Sequence, residues 1–487
     1  MKPELKLRPY QVEDLALLMS EPRFGLLSDP RTGKTPPVCV YIYWLWDDKR
    51  QCSIWTMPKS LLHKNHDELV DWTPFTPADL CIFDGHNDRP EHRVFLMTQK
   101  RFSKSWRELL DRHTNIGTHV TDEPHVDGGF KTDSSQTCQA LYFSSDKIER
   151  FVPMTGSLIN GRLTSAYPVI RMIEPRYYPN EKVFLNYHAV RDPWTLKIVG
   201  WQNHQRLRTI IEAHSSRRSF ADCYGEKTIV IDREIVEMSP VQRDKYDEFH
   251  ETALLELEDR WLDGSLPGVN TIRCRQIMAH PENVELPTHY NDKGSPVAWK
   301  SYNLVGAETT GKDAALYLHM VNHYNTGKPL IIFTSLQPEQ RRCAQLAQKV
   351  GLRTGLINGD ISMSRRSVID KDLIAGRLDC VVASWATAGM GYNWGCVDHV
   401  VAVSIDYQDA NFLQGLMRGM TPDKRGMLVT TLEYRESIDQ RQFQIVEQKS
   451  RDANAVDPSR PVICLAQGKI VLGQKNPLHG GMPMHIT

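Results

Sequence analysis

Ser28-Asp29-Pro30-Arg31-Thr32-Gly33-Lys34-Thr35 follows directly on the apolar run Phe24–Leu27 and ends in Gly-Lys-Thr. A strand that delivers such a loop to the start of a helix builds a phosphate cradle of the Walker A kind. Gly33 lets backbone amides approach the phosphates, Lys34 brings a cation to the β- and γ-phosphates, and the Thr35 hydroxyl is a ligand for magnesium. The usual leading glycine is replaced by Ser28. Pro36 and Pro37 fall in the first helical turn, where amides lack partners anyway, so they do not break the helix that Val38, Ile42 and Leu45 continue.

A phosphate cradle needs an acidic site for the metal and the attacking water. Asp122-Glu123-Pro124-His125, 88 residues beyond Lys34, supplies it. Asp122 is expected to hold Mg2+ and Glu123 to orient or deprotonate water. The segment before it, Ile116–Thr121, is less apolar than a central strand should be.

Outward from these two sites, short apolar runs alternate with helix-length segments: Cys52–Met57, Leu80–Phe83, Val94–Met97, Phe151–Met154 and Thr228–Ile231, then Leu330–Phe333, Cys380–Ala383, His399–Val403 and Met427–Thr431. This is the pattern of α/β folds whose parallel strands are covered on both faces, here in two sets and hence two lobes. Between the sets, Tyr246, Phe249, Leu254, Leu257 and Trp261 fall at helical spacing after Ser239-Pro240, a helix expected to pack on the first lobe. Ile272–Met278 reads as another helix and residues 281–311 as an irregular hinge. The division expected is a first lobe over 1–237, a helical insertion and linker over 238–310, a second lobe over 311–470 and a flexible tail over 471–487.

Lysine plus arginine and aspartate plus glutamate both number 59 in the 487 residues, so no global field draws the chain to nucleic acid, and any such site must be a local basic groove. The 10 cysteines include no C-x-x-C pair, which points to reduced thiols in a cytoplasm, bacterial or that of a host, and away from a disulfide framework or zinc. No 18-residue apolar run and no signal-peptide core occur, so no membrane partner is expected. His113, His119 and His125 have no metal-ligand spacing, and Tyr41, Trp44 and Trp46 read as core.

From Leu7 to Thr431 the chain resembles the Swi/Snf-type ATPases of helicase superfamily two, in the compact form of bacteria and phages. The resemblance rests on motifs in order: Leu7-Arg8-Pro9-Tyr10-Gln11, the Gly-Lys-Thr loop, Met57-Pro58-Lys59-Ser60, Met97-Thr98-Gln99, Asp122-Glu123-Pro124-His125, Thr155-Gly156-Ser157-Leu158, Arg217-Arg218, Met238-Ser239-Pro240-Val241-Gln242 and Arg275-Gln276-Ile277-Met278-Ala279-His280-Pro281. The second lobe adds Gly311-Lys312, Thr334-Ser335, Asn358-Gly359-Asp360, Ala388-Gly389-Met390-Gly391-Tyr392-Asn393-Trp394 and Gln414-Gly415-Leu416-Met417-Arg418. Two departures stand out: Leu158 replaces a proline, and Thr421 replaces the second arginine of the last motif, with Arg425 one helical turn beyond.

The resemblance implies two RecA-like parallel-sheet lobes with a helical insertion between them. It also implies a nucleic-acid-stimulated ATPase that uses ATP and Mg2+ to move along duplex DNA. Arg8 and Gln11 would select the base and Gly391 would contact the nucleotide. Gln414 and Arg418 would act on the transferring phosphoryl from the other lobe. Lys59, Ser60, Thr98, Ser335, Ala388 and Gly389 would grip a nucleic-acid backbone through its phosphates. Replication, repair or recombination proteins are the partners such a motor would have. Two other readings stay open: an RNA-directed or strand-separating helicase of the same superfamily, and an ATP-dependent binding switch or scaffold that hydrolyses weakly.

Overall fold

A computed structural model describes residues 5–472 except 127–128, 131–132, 160–162, 293, 389–390, 458–459 and 465–467. The chain forms two compact units. One is built on Met1–Lys227 with Lys449–Val462 and the chain from Val471, the other on Thr228–Gln448 with Ile463–Ile470.

The first unit carries β1 (Gly25–Leu26), β2 (Cys52–Thr56), β3 (Leu80–Ile82), β4 (Val94–Met97), β5 (Ile116–Asp122), β6 (Arg150–Met154), β7 (Ala189–Arg191), β8 (Ile198–Trp201) and β9 (Ser215–Ser216). All but β7 and β8 join one sheet in the order β3-β4-β2-β5-β6-β1-β9, and its paired strands run parallel. Period-2 alternation sends neighbouring side chains to opposite faces. Ile54, Phe95 and Met97 therefore pack beneath helix Gln99–Arg112, whereas Trp55, Leu96 and Val120 pack with helix Thr35–Lys49. The strand that looked too polar is the central one, and every residue of β5 is buried. Its histidine is held among aromatic rings: the His119 ring sits 4.5 Å from Phe102 and 5.6 Å from Phe151, centroid to centroid, and its Nε2 is 2.9 Å from Thr56 Oγ1.

The second unit has a second seven-stranded sheet. Its first strand, β10 (Lys227–Val236), pairs in parallel over nine positions with Gly426–Tyr434. Thr228–Ile231 was expected in the first lobe, but its partner lies two hundred residues downstream, a non-local pairing that no local pattern reveals. After β10 come two hairpins, β11 (Leu254–Glu256) with β12 (Trp261–Asp263) and β13 (Val284–Tyr290) with β14 (Pro296–Tyr302). Then follow β15 (Leu330–Thr334), β16 (Thr354–Ile357), β17 (Cys380–Ser384), β18 (His399–Ala402), β19 (Gly426–Tyr434) and β20 (Lys469–Leu472), with sheet order β16-β17-β15-β18-β19-β10-β20.

The expected helices stand at Pro240–Thr252 and Pro267–Ala279, but two hairpins lie beside them where a longer helix and an irregular hinge were expected. Helix Pro240–Thr252 stops at Ala253, which adopts φ +59°, and Leu254 onward is a hairpin. Most of 281–311 is the β13–β14 hairpin. This region packs into the core of the second unit: Tyr246, Phe249, Leu255, Leu262, Ile277 and Val284 share a core with Tyr434. Gln242 ties its helices by donating to the carbonyls of Ile277 (2.9 Å) and Met278 (3.2 Å). Val471 and Leu472, expected in the tail, complete β20, while 473–487 lie outside the described residues. Among the described residues no helix is long and apolar enough to cross a membrane.

Burial pushes the His119 imidazole down to about 3, so the fold holds it neutral. A histidine depressed in the fold contributes stability that is fully present above its unfolded value, about 6.5, and is lost as pH falls toward the folded value. His119→Phe preserves the ring packing and removes the titration. Wild type is expected to lose more of its thermal midpoint between about pH 7 and pH 5 than the variant, and equal losses would contradict this assignment.

Candidate active site

In the first unit the expected residues meet at the carboxyl edge of the sheet, where parallel α/β folds place their ligands. The Ser28–Thr35 loop leaves β1, Asp122 ends β5, and Thr155 follows β6, the strand between them. Strands stand roughly 4.8 Å apart, so one strand separates the lysine loop from the acidic pair.

The loop is held by its carbonyls. Tyr224 Oη donates to the Arg31 carbonyl (3.2 Å), Tyr10 Oη to Thr32 (2.8 Å) and Gln11 Nε2 to Gly33 (2.8 Å). Lys34 Nζ donates to the carbonyls of Ser28 (2.7 Å) and Asp29 (3.0 Å). Gly33 has φ +78°, and Lys34 after it is right-handed helical. That change of hand curls successive amides toward a common point, which suits an anion. Thr35 opens the helix, with prolines in its first turn as expected.

Four ionisable groups surround Lys34. Burial lowers its ammonium from the ordinary lysine value, although Glu123, Asp122 and Asp29 pull the other way and Arg217 adds to the lowering. Burial and the like charge of Glu123 raise Asp122 to about 6, against the attraction of Lys34 and a hydrogen bond from Asn65 Nδ2 (3.3 Å). Gln99 Nε2 holds the Asp122 carbonyl at 3.2 Å. Glu123 adopts φ +44°, and its amide donates to the Met154 carbonyl at 2.8 Å. Its carboxylate accepts from Thr155 Oγ1 at 2.7 Å and from the Gly156 amide at 3.5 Å, with His125 Nε2 3.8 Å away. The Thr155-Gly156 segment thus touches the candidate water-positioning group directly. Behind the loop, buried Asp29 accepts from the Phe220 amide (2.8 Å), and burial raises its carboxyl against the attraction of Arg217 and Lys34. Arg217, brought down to about 10 by burial, also pairs with Asp457.

Asn65, Gln99, Asp29, Tyr10 and Tyr224 were not singled out in the sequence. Tyr10, Asp29 and Gln99 stand inside motifs that give them no role and Asn65 and Tyr224 in none, because their partners are distant in the chain. Conversely, both ends of the Gln11 amide are engaged within the protein, since its Oε1 accepts from the Arg8 amide at 2.8 Å. The Arg8 guanidinium lies over the Tyr224 ring at 4.9 Å and bonds the hydroxyls of Tyr224 and, at 3.3 Å, Tyr10. Lys59 and Ser60 begin a short turn after β2, with Lys59 exposed. Thr98 caps helix Gln99–Arg112 by accepting from the Arg101 amide.

The donor chemistry suits a magnesium–polyphosphate ligand. Asp122 and the Thr35 hydroxyl are hard oxygen donors, and Lys34 with the loop amides suits phosphate oxygens. Among the described residues no three His, Cys, Asp or Glu side chains form a self-sufficient metal cage.

The second unit places Ser335, Ala388, Gly391, Gln414 and Arg418 beyond the carboxyl ends of its own strands or on the helices that follow. Ser335 Oγ donates to the Ile405 carbonyl at 2.8 Å. Gly391 has φ +84°. Ala388 ends the short helix Trp385–Ala388, while its side chain and Gly389 lie outside the described residues. Gln414 is buried on helix Asp409–Met417, and Arg418 follows that helix. The Arg418 carbonyl accepts from the Trp394 amide (2.9 Å), and its charge acts on Asp370 and Tyr392, which joins the glycine-rich segment to the arginine motif. Thr421 packs its methyl on Gly395, where an added Cβ would come within 2.3 Å of it. Arg425 is exposed.

Residues 311–420 match the helicase conserved C-terminal domain family. No curated protein matches the chain. Among solved structures it is similar to the Sulfolobus solfataricus SWI2/SNF2 ATPase core in complex with dsDNA, at 15% identity and TM-score 0.41, with 93% of this chain and 96% of that one covered.

An alanine at position 33 would be strained by the left-handed φ and would bring its Cβ within 2.7 Å of Gln11 Nε2. Gly33→Ala is expected to lower stability by about 1–2 kcal/mol, read as a fall in thermal midpoint. Adding Gln11→Ala relieves the contact but not the backbone, so the double variant should recover only part of the loss.

Proposed function

We propose that this chain, which carries a helicase conserved C-terminal domain over residues 311–420, is a nucleic-acid-stimulated ATPase of the Swi/Snf type that couples hydrolysis to movement along duplex DNA. One observation supports this above others. Lys34, Asp122 and Glu123 converge at the carboxyl edge of a parallel sheet, each acting electrostatically on another, in a chain that also holds that domain.

On this reading the Ser28–Thr35 loop binds the ATP phosphates through backbone amides and Lys34, with Arg8 and Gln11 at the base. Magnesium, held by Thr35 and Asp122, would draw charge from the phosphate oxygens. Glu123 orients the attacking water and accepts its proton, and Thr155, bonded to the same carboxylate, fixes its direction. Gln414 and Arg418 supply a polar group and a cation to the transferring phosphoryl. Lys59, Ser60, Thr98, Ser335, Ala388 and Gly389 serve the nucleic-acid backbone, giving salt-dependent binding with little sequence preference.

The test is phosphate release with and without duplex DNA, single strands and RNA. Wild type should respond most to duplex DNA. Lys34→Ala and Glu123→Gln should abolish the response, and Arg418→Ala should lower kcat by about 10³-fold. Phosphate release indifferent to every nucleic acid, or unchanged in Glu123→Gln, would leave a binding switch or scaffold as the better account. Stimulation by RNA alone would move the substrate and keep the enzyme class.

A further inference from the structure

The β7–β8 hairpin belongs to neither large sheet, and at its tip stands Trp194, 92% exposed. Leu196 and Val199 beside it are 66% and 65% exposed. Isolated two-stranded hairpins are marginal in water, so this one must be stabilised at its ends. Its base is rooted: buried His188 bonds Tyr178 Oη through Nε2 (2.6 Å) and the Gln202 carbonyl through Nδ1 (3.1 Å), while Trp201 packs against the core. Its tip is set as well. Asp192 Oδ1 accepts from the amides of Trp194 (3.0 Å) and Thr195 (2.7 Å), and Arg191 Nη1 donates to the Leu196 carbonyl at 2.9 Å. The tryptophan is therefore presented on an ordered projection.

The surroundings identify the partner's chemistry. Residues 180–209 hold five lysines and arginines against two acidic residues, in a chain whose total charge is zero. Arg191 and Lys197 flank the tip, and at the root Arg206 lies over the rings of Tyr177 and Tyr187 at 5.8 and 5.3 Å. Cations for phosphates around one freely exposed indole face for a base make a surface suited to a nucleic-acid strand. Within an intact duplex the base faces are already stacked, so a projecting indole finds a free face only where bases are unpaired.

We propose that this hairpin binds unpaired nucleic acid, with Trp194 stacking on a base and Arg191 and Lys197 neutralising adjacent phosphates. The assignment rests on the nucleic-acid-directed reading above and adds an element no motif names. No nucleotide chemistry is asked of it, and it lies outside the candidate active site.

The experiment uses the full chain and three fluorescent DNA probes: a single strand, a blunt duplex and a duplex with a single-stranded overhang. Trp194→Ala should weaken binding of the single strand and overhang by about tenfold and leave the blunt duplex within about twofold, with Trp194→Phe retaining most of the affinity. Arg191→Ala with Lys197→Ala should reduce the slope of log affinity for the single strand against log salt by about 1.4. A strand bearing 5-bromouracil should photocrosslink to Trp194. Phosphate release without nucleic acid should be unchanged in all variants, which shows that they fold. Equal affinities of Trp194→Ala and wild type for the overhang probe, with wild-type ATPase still stimulated by DNA, would overturn the hairpin assignment alone. So would loss of self-association in Trp194→Ala, which would make the tip a protein contact. A wild type that binds no probe and ignores nucleic acid would overturn both readings.

Discussion

Lys34, Asp29, Asp122 and Glu123 share the edge of one sheet where solvent is largely withdrawn, and the rest of the first unit is arranged around that concentration of charge. A single buried carboxylate or ammonium would neutralise itself rather than bear the cost of desolvation. Here burial lowers Lys34 even against three carboxylates and raises Asp122 to about 6 even beside a lysine. The cluster is held together by opposite signs, yet desolvation still outweighs them at Lys34, Asp29 and Asp122. A ligand carrying both a divalent cation and several phosphate negatives would answer both imbalances at once. On the proposed reading, that is how binding and catalysis use the same residues.

Such a cluster needs a rigid floor, and the sheet order provides it. With β6 between β5 and β1, Thr155 reaches the Glu123 carboxylate while the Gly33 carbonyl is held from below by Gln11. Gly156 admits no side chain, because an added Cβ would stand 2.6 Å from the ring of Pro30. Each loop is thus positioned by another, and a change in one strand's register would separate the lysine from its carboxylates.

Much of this was legible because it is local. A strand, Gly-Lys-Thr and a helix whose prolines fall in its first turn occupy one short window, and the apolar runs mark β1–β4, β6, β10, β15 and β17–β19 while missing the short strands β16 and β20. What escaped was non-local. β5 looked too polar because the pairing of His119 with Thr56 and its packing among phenylalanine rings are invisible in the run itself. Thr228–Ile231 was placed in the wrong lobe because its partner strand begins at Gly426. Leu254, Leu257 and Trp261 fit a helical period, but the chain turns at Ala253 and a hairpin follows. The site behaved likewise. Lys34, Asp122 and Glu123 were readable by residue type and order, whereas Asn65, Gln99 and Asp29 matter only through where the fold brings them.

Charge shows the same limit of sequence averages. A balance of 59 against 59 says nothing about nucleic acid, because a field acts over roughly 8–10 Å at physiological salt and only nearby charges add. Over that range the relevant counts are local ones, such as the basic excess in residues 180–209 or the carboxylates around Lys34. A neutral chain can therefore concentrate carboxylates at the edge of one sheet and cations on one hairpin.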